Sequence, residues 1–476
     1  MLSTTAESAI QSGEYTPRHR SPRLTRTLIC ATLTACLGAV SFGYVLGYAS
    51  PIQKDLKEKL NWNSEHVTWF NSIPALGAMV GALIGLYTID RFGRKFNIIM
   101  CSSPFMAGWI MIAGVKVTSL FYVGRFVTGV GVGAISLTVP LYIAEISPAK
   151  YRGALGSANQ LGVTFGALIA YSLGAGLNWH WLAIAAAVPI TAMAILMLGF
   201  PETPRWLIKN GRISEACQAL VFLRKTSVDE CEDECKEIQS TLETDEPASI
   251  REFLKPTIYR PFIISIMLML FQQFSGINAV ITYASTMLLD AGFSSANVAA
   301  IAIAIVQVIV TAISCLIVDK VGRRILLMIP TAVMCASMAV LGASRYYHDF
   351  PSYITLISLC CFISGFSLGL GPIPWLIMSE IFPTKVRGVA SGIATQVNWL
   401  CAFIVIKFYD DMESSMHSYG TYWFFAAVCF LCVIYVFVFL PETKGKTLEE
   451  VEELFANHRD LRETDSFGSR YGGIHS

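Results

Sequence analysis

Apolar windows of about 20 residues recur twelve times along this 476-residue chain, and no other feature limits its fold as much. They lie near residues 28–49, 67–89, 97–115, 120–143, 154–177, 180–200, 261–289, 297–318, 325–343, 353–378, 388–408 and 419–440. A helix of that length crosses roughly 30 Å of hydrocarbon. Hydrocarbon offers no hydrogen bonds, so backbone inside it must satisfy itself, as an unbroken helix does. Composition excludes a water-soluble globule. Hydrophobic residues make up 54% of the chain and charged residues 14%, against about 25% charged in soluble domains. The expected fold class is an all-α membrane protein with twelve transmembrane helices. The tenth window, interrupted by GLGPIPW, also reads as two short pieces.

An even number of spans leaves both termini on one face. That face holds 28 of the 35 basic residues, the opposite loops hold six, and Arg125 stands at the start of the fourth span. Excess Lys and Arg mark the cytoplasmic side, so the termini and the long central loop are expected in the cytoplasm. The net charge of +1 conceals this asymmetry. Residues 1–26 are polar and contain Pro, Ser and Arg, which reads as a disordered tail rather than a cleavable signal peptide. The thirteen cysteines lie mostly inside spans, with Cys231 and Cys235 in an acidic stretch, DECEDECKE, that reads as an exposed helix. Neither a disulfide framework nor a zinc site is expected. No Asn-x-Ser/Thr sequon occurs, so N-glycosylation is not expected.

The chain repeats itself. DRFGRK (90–95) returns as DKVGRR (319–324), AEISPAKYRGALGS (144–157) as SEIFPTKVRGVASG (379–392), and PETPRW (201–206) as PETKG (441–445). Three landmarks kept in order at near-constant spacing indicate duplication. The expected layout is two pseudo-symmetric six-helix bundles, 27–206 and 259–443, with cytoplasmic linker helices over 207–258 and tails at 1–26 and 444–476. A parallel repeat of this kind suits a transporter whose site lies between the bundles near the bilayer midplane.

DRFGRK, GRFVTGVGVG, PLYIAEISPAKYRG, PETPRW, QQFSGINA, DKVGRR, GPIPW and PETKG together resemble the signatures of the sugar porter family of the major facilitator superfamily. Within it the chain is similar to animal facilitative hexose transporters and to the branch holding the insect trehalose transporters. The resemblance covers about residues 28 to 450.

Polar residues inside the spans mark the candidate site. LMLFQQFSGINAVITY (268–283) holds Gln272, Gln273 and Asn278 in an otherwise apolar run. Unpaired amides in hydrocarbon cost roughly 2–7 kcal/mol each. On a straight helix Gln273 lies about 100° round from Gln272, and Asn278 about 120° to the other side. A bend or unwinding at Ser275-Gly276 is therefore expected, since irregular backbone at this depth survives where it lines protein or water. Read without the family, the amides serve equally as glue between helices; the resemblance implies bonds to sugar hydroxyls. It also implies sugar contacts for Gln160, Gln307, Trp375, Asn398 and Trp399. Carboxamides offer donors and acceptors to hydroxyl pairs, and an indole face covers the C–H side of a pyranose. The break beside Pro372 and Pro374 would let the outer half of span ten act as a gate.

At the cytoplasmic ends, the duplicated Glu-x6-Arg spacing (Glu145/Arg152 and Glu380/Arg387) joins Arg91, Arg94, Glu202, Arg205, Arg323 and Glu442. Charges there snorkel or set topology; the resemblance implies salt bridges that tie the bundles together in the outward-facing state. Proton-linked sugar porters carry a carboxylate directly after the FGY-type motif, where this chain has Val45. An intramembrane proton relay needs Asp, Glu or His, so facilitative uniport of a hexose such as glucose is the expected function. A trehalose facilitator, a proton-coupled symporter, a non-transporting sugar sensor and an inositol carrier stand as alternatives. Ser367 and Thr282 depart from the family pattern and would reshape the cavity. No catalytic, metal, cofactor or nucleic-acid-binding constellation is expected. The chain is expected to work as a monomer in the plasma membrane, with endosomal or lysosomal membrane as the other setting.

Overall fold

The computed structural model describes residues 24–114, 117–148, 151–225, 228–243, 253–347, 350–444 and 448–455. The expected N-terminal tail through residue 23 and the C-terminal tail beyond residue 455 lie outside the described residues.

The first half contains α1 (Arg26–Gly47), α2 (Ala49–Lys59), α3 (Ser64–Phe92), α4 (Arg94–Met100), α5 (Ser102–Gly114), α6 (Thr118–Ile146), α7 (Arg152–Gly174) and α8 (Trp179–Met197). Three linker helices follow: α9 (Pro204–Lys209), α10 (Ile213–Arg224) and α11 (Val228–Glu243). The second half contains α12 (Pro256–Phe274), α13 (Ile277–Asp290), α14 (Ala296–Val321), α15 (Arg323–Tyr347), α16 (Tyr353–Leu368), α17 (Ile373–Ile381), α18 (Thr384–Lys407) and α19 (Tyr409–Phe439). A final helix, α20, spans Leu448–Phe455.

Among the described residues twelve spans can be traced, three of them in two pieces: α4 with α5, α12 with α13, and α16 with α17. Among the described residues, eleven stretches are long and apolar enough to cross a bilayer. The fifth span, α7, is less apolar because Ser157, Asn159, Gln160 and its glycines dilute the aliphatic residues. Each half has its own apolar core. One runs from Leu28 to Met197 and takes in Leu223, Trp399 and Ala402; the other runs from Ile264 to Phe455 and takes in Tyr171. The halves meet where α3 packs on α18 and where α7 packs on α14.

Within the first half, α3 and α6 approach backbone to backbone. A Cβ at Gly129 would lie 2.2 Å from the Pro74 carbonyl oxygen, and one at Gly133 would lie 2.0 Å from that of Ala78. The glycines of GRFVTGVGVG thus serve close helix packing, as their spacing suggests. In the linker, the expectation of an exposed acidic helix needs correction. Cys231 and Cys235 are buried against Trp206, Ala216 and Leu220. Their i, i+4 spacing gives α11 a narrow apolar stripe, while Glu232 and Asp233 lie exposed and Glu234 pairs with Arg224.

Candidate functional site

The seventh span breaks where the sequence places the break. The first piece ends at Phe274, and Gly276 sits at φ +90° before α13 begins. A Cβ there would lie 2.5 Å from the Phe425 ring, so both conformation and space require glycine. The break brings four carboxamides into one relay. Gln273 Nε2 donates to Asn398 Oδ1 at 3.1 Å, Asn398 Nδ2 donates to Gln272 Oε1 at 2.7 Å, and Asn278 Nδ2 donates to Gln273 Oε1. Gln272, Gln273 and Asn398 are buried; Asn278 is half-buried. Gln272 has a further task. Its Nε2 donates to the carbonyls of Leu370 and Gly371 at 2.7 and 3.0 Å, in the gap between α16 and α17. Side-chain amides thereby satisfy backbone that the tenth span's break leaves open.

Trp399 lies one residue beyond Asn398, 7% exposed, with its indole N–H buried and without a hydrogen bond. Its ring centroid is 5.8 Å from that of Phe42 on α1, so this second-half side chain packs into the first half. Trp375 is exposed on α17, Gln160 is half-buried on α7, and Gln307 is buried on α14. Beside Asn278 and Trp399 opens a small cavity lined also by Val45, Asn71, Arg125 and Thr282. The sequence reading missed Asn71, an isolated amide in the second apolar window.

The charged residues form two matching constellations at the ends that carry the termini, here called the terminal face. In the first half, Arg94 Nη2 donates to Glu145 Oε1 at 2.9 Å, Thr203 Oγ1 donates to Glu145 Oε2 at 2.6 Å, and Arg94 Nη1 donates to the Ile89 carbonyl at 3.2 Å. In the second, Arg323 Nη2 donates to Glu380 Oε1 at 2.9 Å, Thr443 Oγ1 to Glu380 Oε2 at 2.6 Å, and Arg323 Nη1 to the Val318 carbonyl at 3.2 Å. Both ion pairs lie within one bundle. Thr203 and Thr443 escaped the sequence reading, because a threonine after Glu in PET carries no sign of a partner dozens of residues away.

Glu202 and Glu442 cap helices from a distance. The helices α4 and α15 start after Gly93 and Gly322, which have no side chain to cap with. Glu202 accepts from the backbone N–H groups of Arg94 and Lys95, and Glu442 from those of Arg323 and Arg324. Unpaired N–H groups and the helix dipole both favour a carboxylate there. Burial pushes the Glu442 carboxyl up, but the backbone N–H groups of Lys444, Arg323, Arg324 and Thr443 outweigh it and hold it below its ordinary 4.5. Arg152 and Arg387 donate to nearby carbonyls, those of Ala144 and Phe382. Arg91 donates to the Tyr87 hydroxyl, and Arg205 lies exposed on α9.

On the opposite face, hydrogen bonds run between the halves and converge on α13. Gln53 Nε2 donates to the Thr282 carbonyl at 2.8 Å and Gln53 Oε1 accepts from Thr286 Oγ1 at 2.9 Å. Ser50 Oγ lies 3.1 Å from Ser285 Oγ, and the Tyr171 hydroxyl donates to the Ile281 carbonyl. Lys407 adds a bond to Thr68 Oγ1 at 3.3 Å. This face is closed.

Two six-helix bundles around a buried carboxamide relay, set at helix breaks and closed on one face, define an alternating-access membrane transporter. The sequence profile described as "Sugar (and other) transporter" matches residues 31–455. The chain belongs to that family, and it is a transporter of sugars rather than an enzyme. It is 38% identical to "Solute carrier family 2, facilitated glucose transporter member 8" of Mus musculus, over 92% of this chain and 96% of that protein. It is 37% identical to "Facilitated trehalose transporter Tret1" of Apis mellifera ligustica, over 92% of this chain and 90% of the relative. Among solved structures it is similar to the proton:xylose symporter XylE bound to 6-bromo-6-deoxy-D-glucose. The TM-score is 0.79 at 27% identity, covering 91% of this chain and all of the other. The inward-open conformation of XylE from E. coli gives a TM-score of 0.77 at 27% identity, covering 90% of this chain and 99% of the other.

Proposed function

We propose that the protein is a facilitative sugar uniporter working as a monomer in the plasma membrane, with its termini cytoplasmic. The observation that carries the reading is the relay of Gln272, Gln273, Asn278 and Asn398 at the break of the seventh span. These amides bond to one another and can exchange partners for sugar hydroxyls, since each offers both a donor and an acceptor. Gln160, Gln307, Trp375 and Trp399 complete the ligand shell, the indoles covering the ring's C–H faces.

Uniport is supported by Arg125. This buried cation donates to the Val45 and Phe70 carbonyls, and the side chain at 45 offers no carboxylate to take up a proton. The charged constellations around Glu145 and Glu380, with Arg91, Arg152, Arg205 and Arg387 nearby, set the balance between conformations at the terminal face. The names of the relatives support glucose first and trehalose second as substrates. Uptake of labelled glucose, fructose, trehalose and inositol into proteoliposomes tests the reading, with and without a proton gradient. Saturable glucose uptake indifferent to the gradient is expected. Concentrative uptake that collapses with the gradient would refute uniport.

A further inference from the structure

We propose that Asn71 is a further sugar-contacting residue, placed on the opposite-face side of the carboxamide relay. Asn71 is 3% exposed in the first half of α3, and both atoms of its carboxamide are buried without a hydrogen bond. It lines the cavity that Asn278 and Trp399 also line, and the buried indole N–H of Trp399 is likewise without a partner. The space exists because its neighbours are small: Val45, Ala75, Thr282 and Ala402 surround it. A polar neighbour of the amide in the other bundle is the Tyr283 hydroxyl. That hydroxyl donates to the Ile406 carbonyl at 3.3 Å.

The position fits an amide that is used in another conformation. Asn71 belongs to the first bundle, whereas Asn278, Thr282 and Trp399 belong to the second. When the bonds from Gln53, Ser50 and Tyr171 to α13 part, this cavity widens toward the opposite face. Asn71 then presents one donor and one acceptor to a sugar arriving from that side. An amide with both functions fits a vicinal pair of hydroxyls, one accepting and one donating. This inference rests on the sugar-transport reading above and assigns the residue to one side of the cycle.

The test is zero-trans flux of glucose and of each mono-deoxyglucose in both directions, for the wild type, Asn71→Ala and Asn71→Ser. For flux starting at the opposite face, Asn71→Ala should raise the glucose KM about three- to tenfold, the change expected for a lost neutral hydrogen bond. Asn71→Ser should recover part of it. One deoxyglucose, lacking the hydroxyl that Asn71 meets, should bind the wild type and Asn71→Ala equally. Flux starting at the terminal face should keep its KM. Equal glucose KM values in the wild type and Asn71→Ala overturn the proposal. So does a loss that is the same for every deoxyglucose, because that is a structural defect. If Asn71→Ala does not fold, the Asn71→Ser series carries the same comparison. A wild type that moves no sugar overturns the transport reading itself, and this proposal with it.

Discussion

Arg125 donates Nη1 to the carbonyl oxygen of Val45 at 3.0 Å. Its Nε donates to the Phe70 carbonyl at 3.2 Å, and the Phe70 ring centroid lies 4.9 Å from the guanidinium carbon. A buried cation is thus held by backbone dipoles and an aromatic face. Val45 stands where a carboxylate would meet it.

Val45→Asp should therefore install a proton-sensitive pair. Wild-type glucose uptake is expected to change little between about pH 7.5 and about pH 5.5, whereas the variant's uptake should rise with external acid and carry inward current. Flux assays with electrophysiology in the same cells check both.

Removing one partner of a buried ion pair strips the other of its closest counter-charge, although Arg94 keeps the exposed Asp90 at 3.3 Å. Glu145→Gln should cost about 3–5 kcal/mol, read as thermal unfolding in detergent. Glu380→Gln should cost less, because the Glu380 side chain is 23% exposed against 7% for Glu145. Thr203→Val should cost about 1 kcal/mol alone and combine non-additively with Glu145→Gln, since both alter the same contact.

The two neighbouring glutamines should separate by phenotype. Gln273→Leu breaks the relay to Asn278 and Asn398 and should raise the glucose KM about tenfold or more, with near-normal thermal stability. Gln272→Leu also strips the carbonyls of Leu370 and Gly371 of their donor, and should lower stability as well. Binding and unfolding measured on the same preparations tell them apart.

Breaking the opposite-face seal should shift the conformational balance. Gln53→Leu removes two hydrogen bonds to α13 and should favour the state open at that face by about tenfold. Alkylation rates of a cysteine introduced at Thr282 report the opening; an unchanged rate would show that packing, rather than these bonds, holds the face shut.

Glu442 gives a pH signature. Its carboxyl is held below the ordinary value of 4.5 in the folded protein, so its contribution is full above that value and disappears as pH falls through the lowered one. The difference in thermal stability between wild type and Glu442→Gln should be constant from neutral pH down to about pH 5 and vanish in stronger acid.

Much of the fold was legible because membrane spans and duplicated motifs are local signals. The break at Ser275-Gly276 could be read because three amides pointing about 100° and 120° apart cannot share one face of a straight helix. What stayed hidden depends on partners far apart in the chain. The attachment of Gln272 to Leu370 and Gly371 becomes visible only when the seventh and tenth spans meet. The capping of α4 by Glu202 joins a helix start to a residue 108 positions away. Asn71 was hidden for a different reason: a single amide in an apolar window gives no direction until the opposing bundle surrounds it.

The short helix α13 carries Asn278 near its start and Ile281, Thr282, Ser285 and Thr286 along the same rod, with Gly276 as its pivot. Whatever ligand pulls Asn278 therefore pulls the elements bonded to Gln53 and Tyr171. Occupancy and closure are then linked thermodynamically, and the linkage is reciprocal. The factor by which bound sugar favours the sealed state is the factor by which sealing tightens sugar binding. Measured in either direction, that shared factor is the coupling free energy of the cycle.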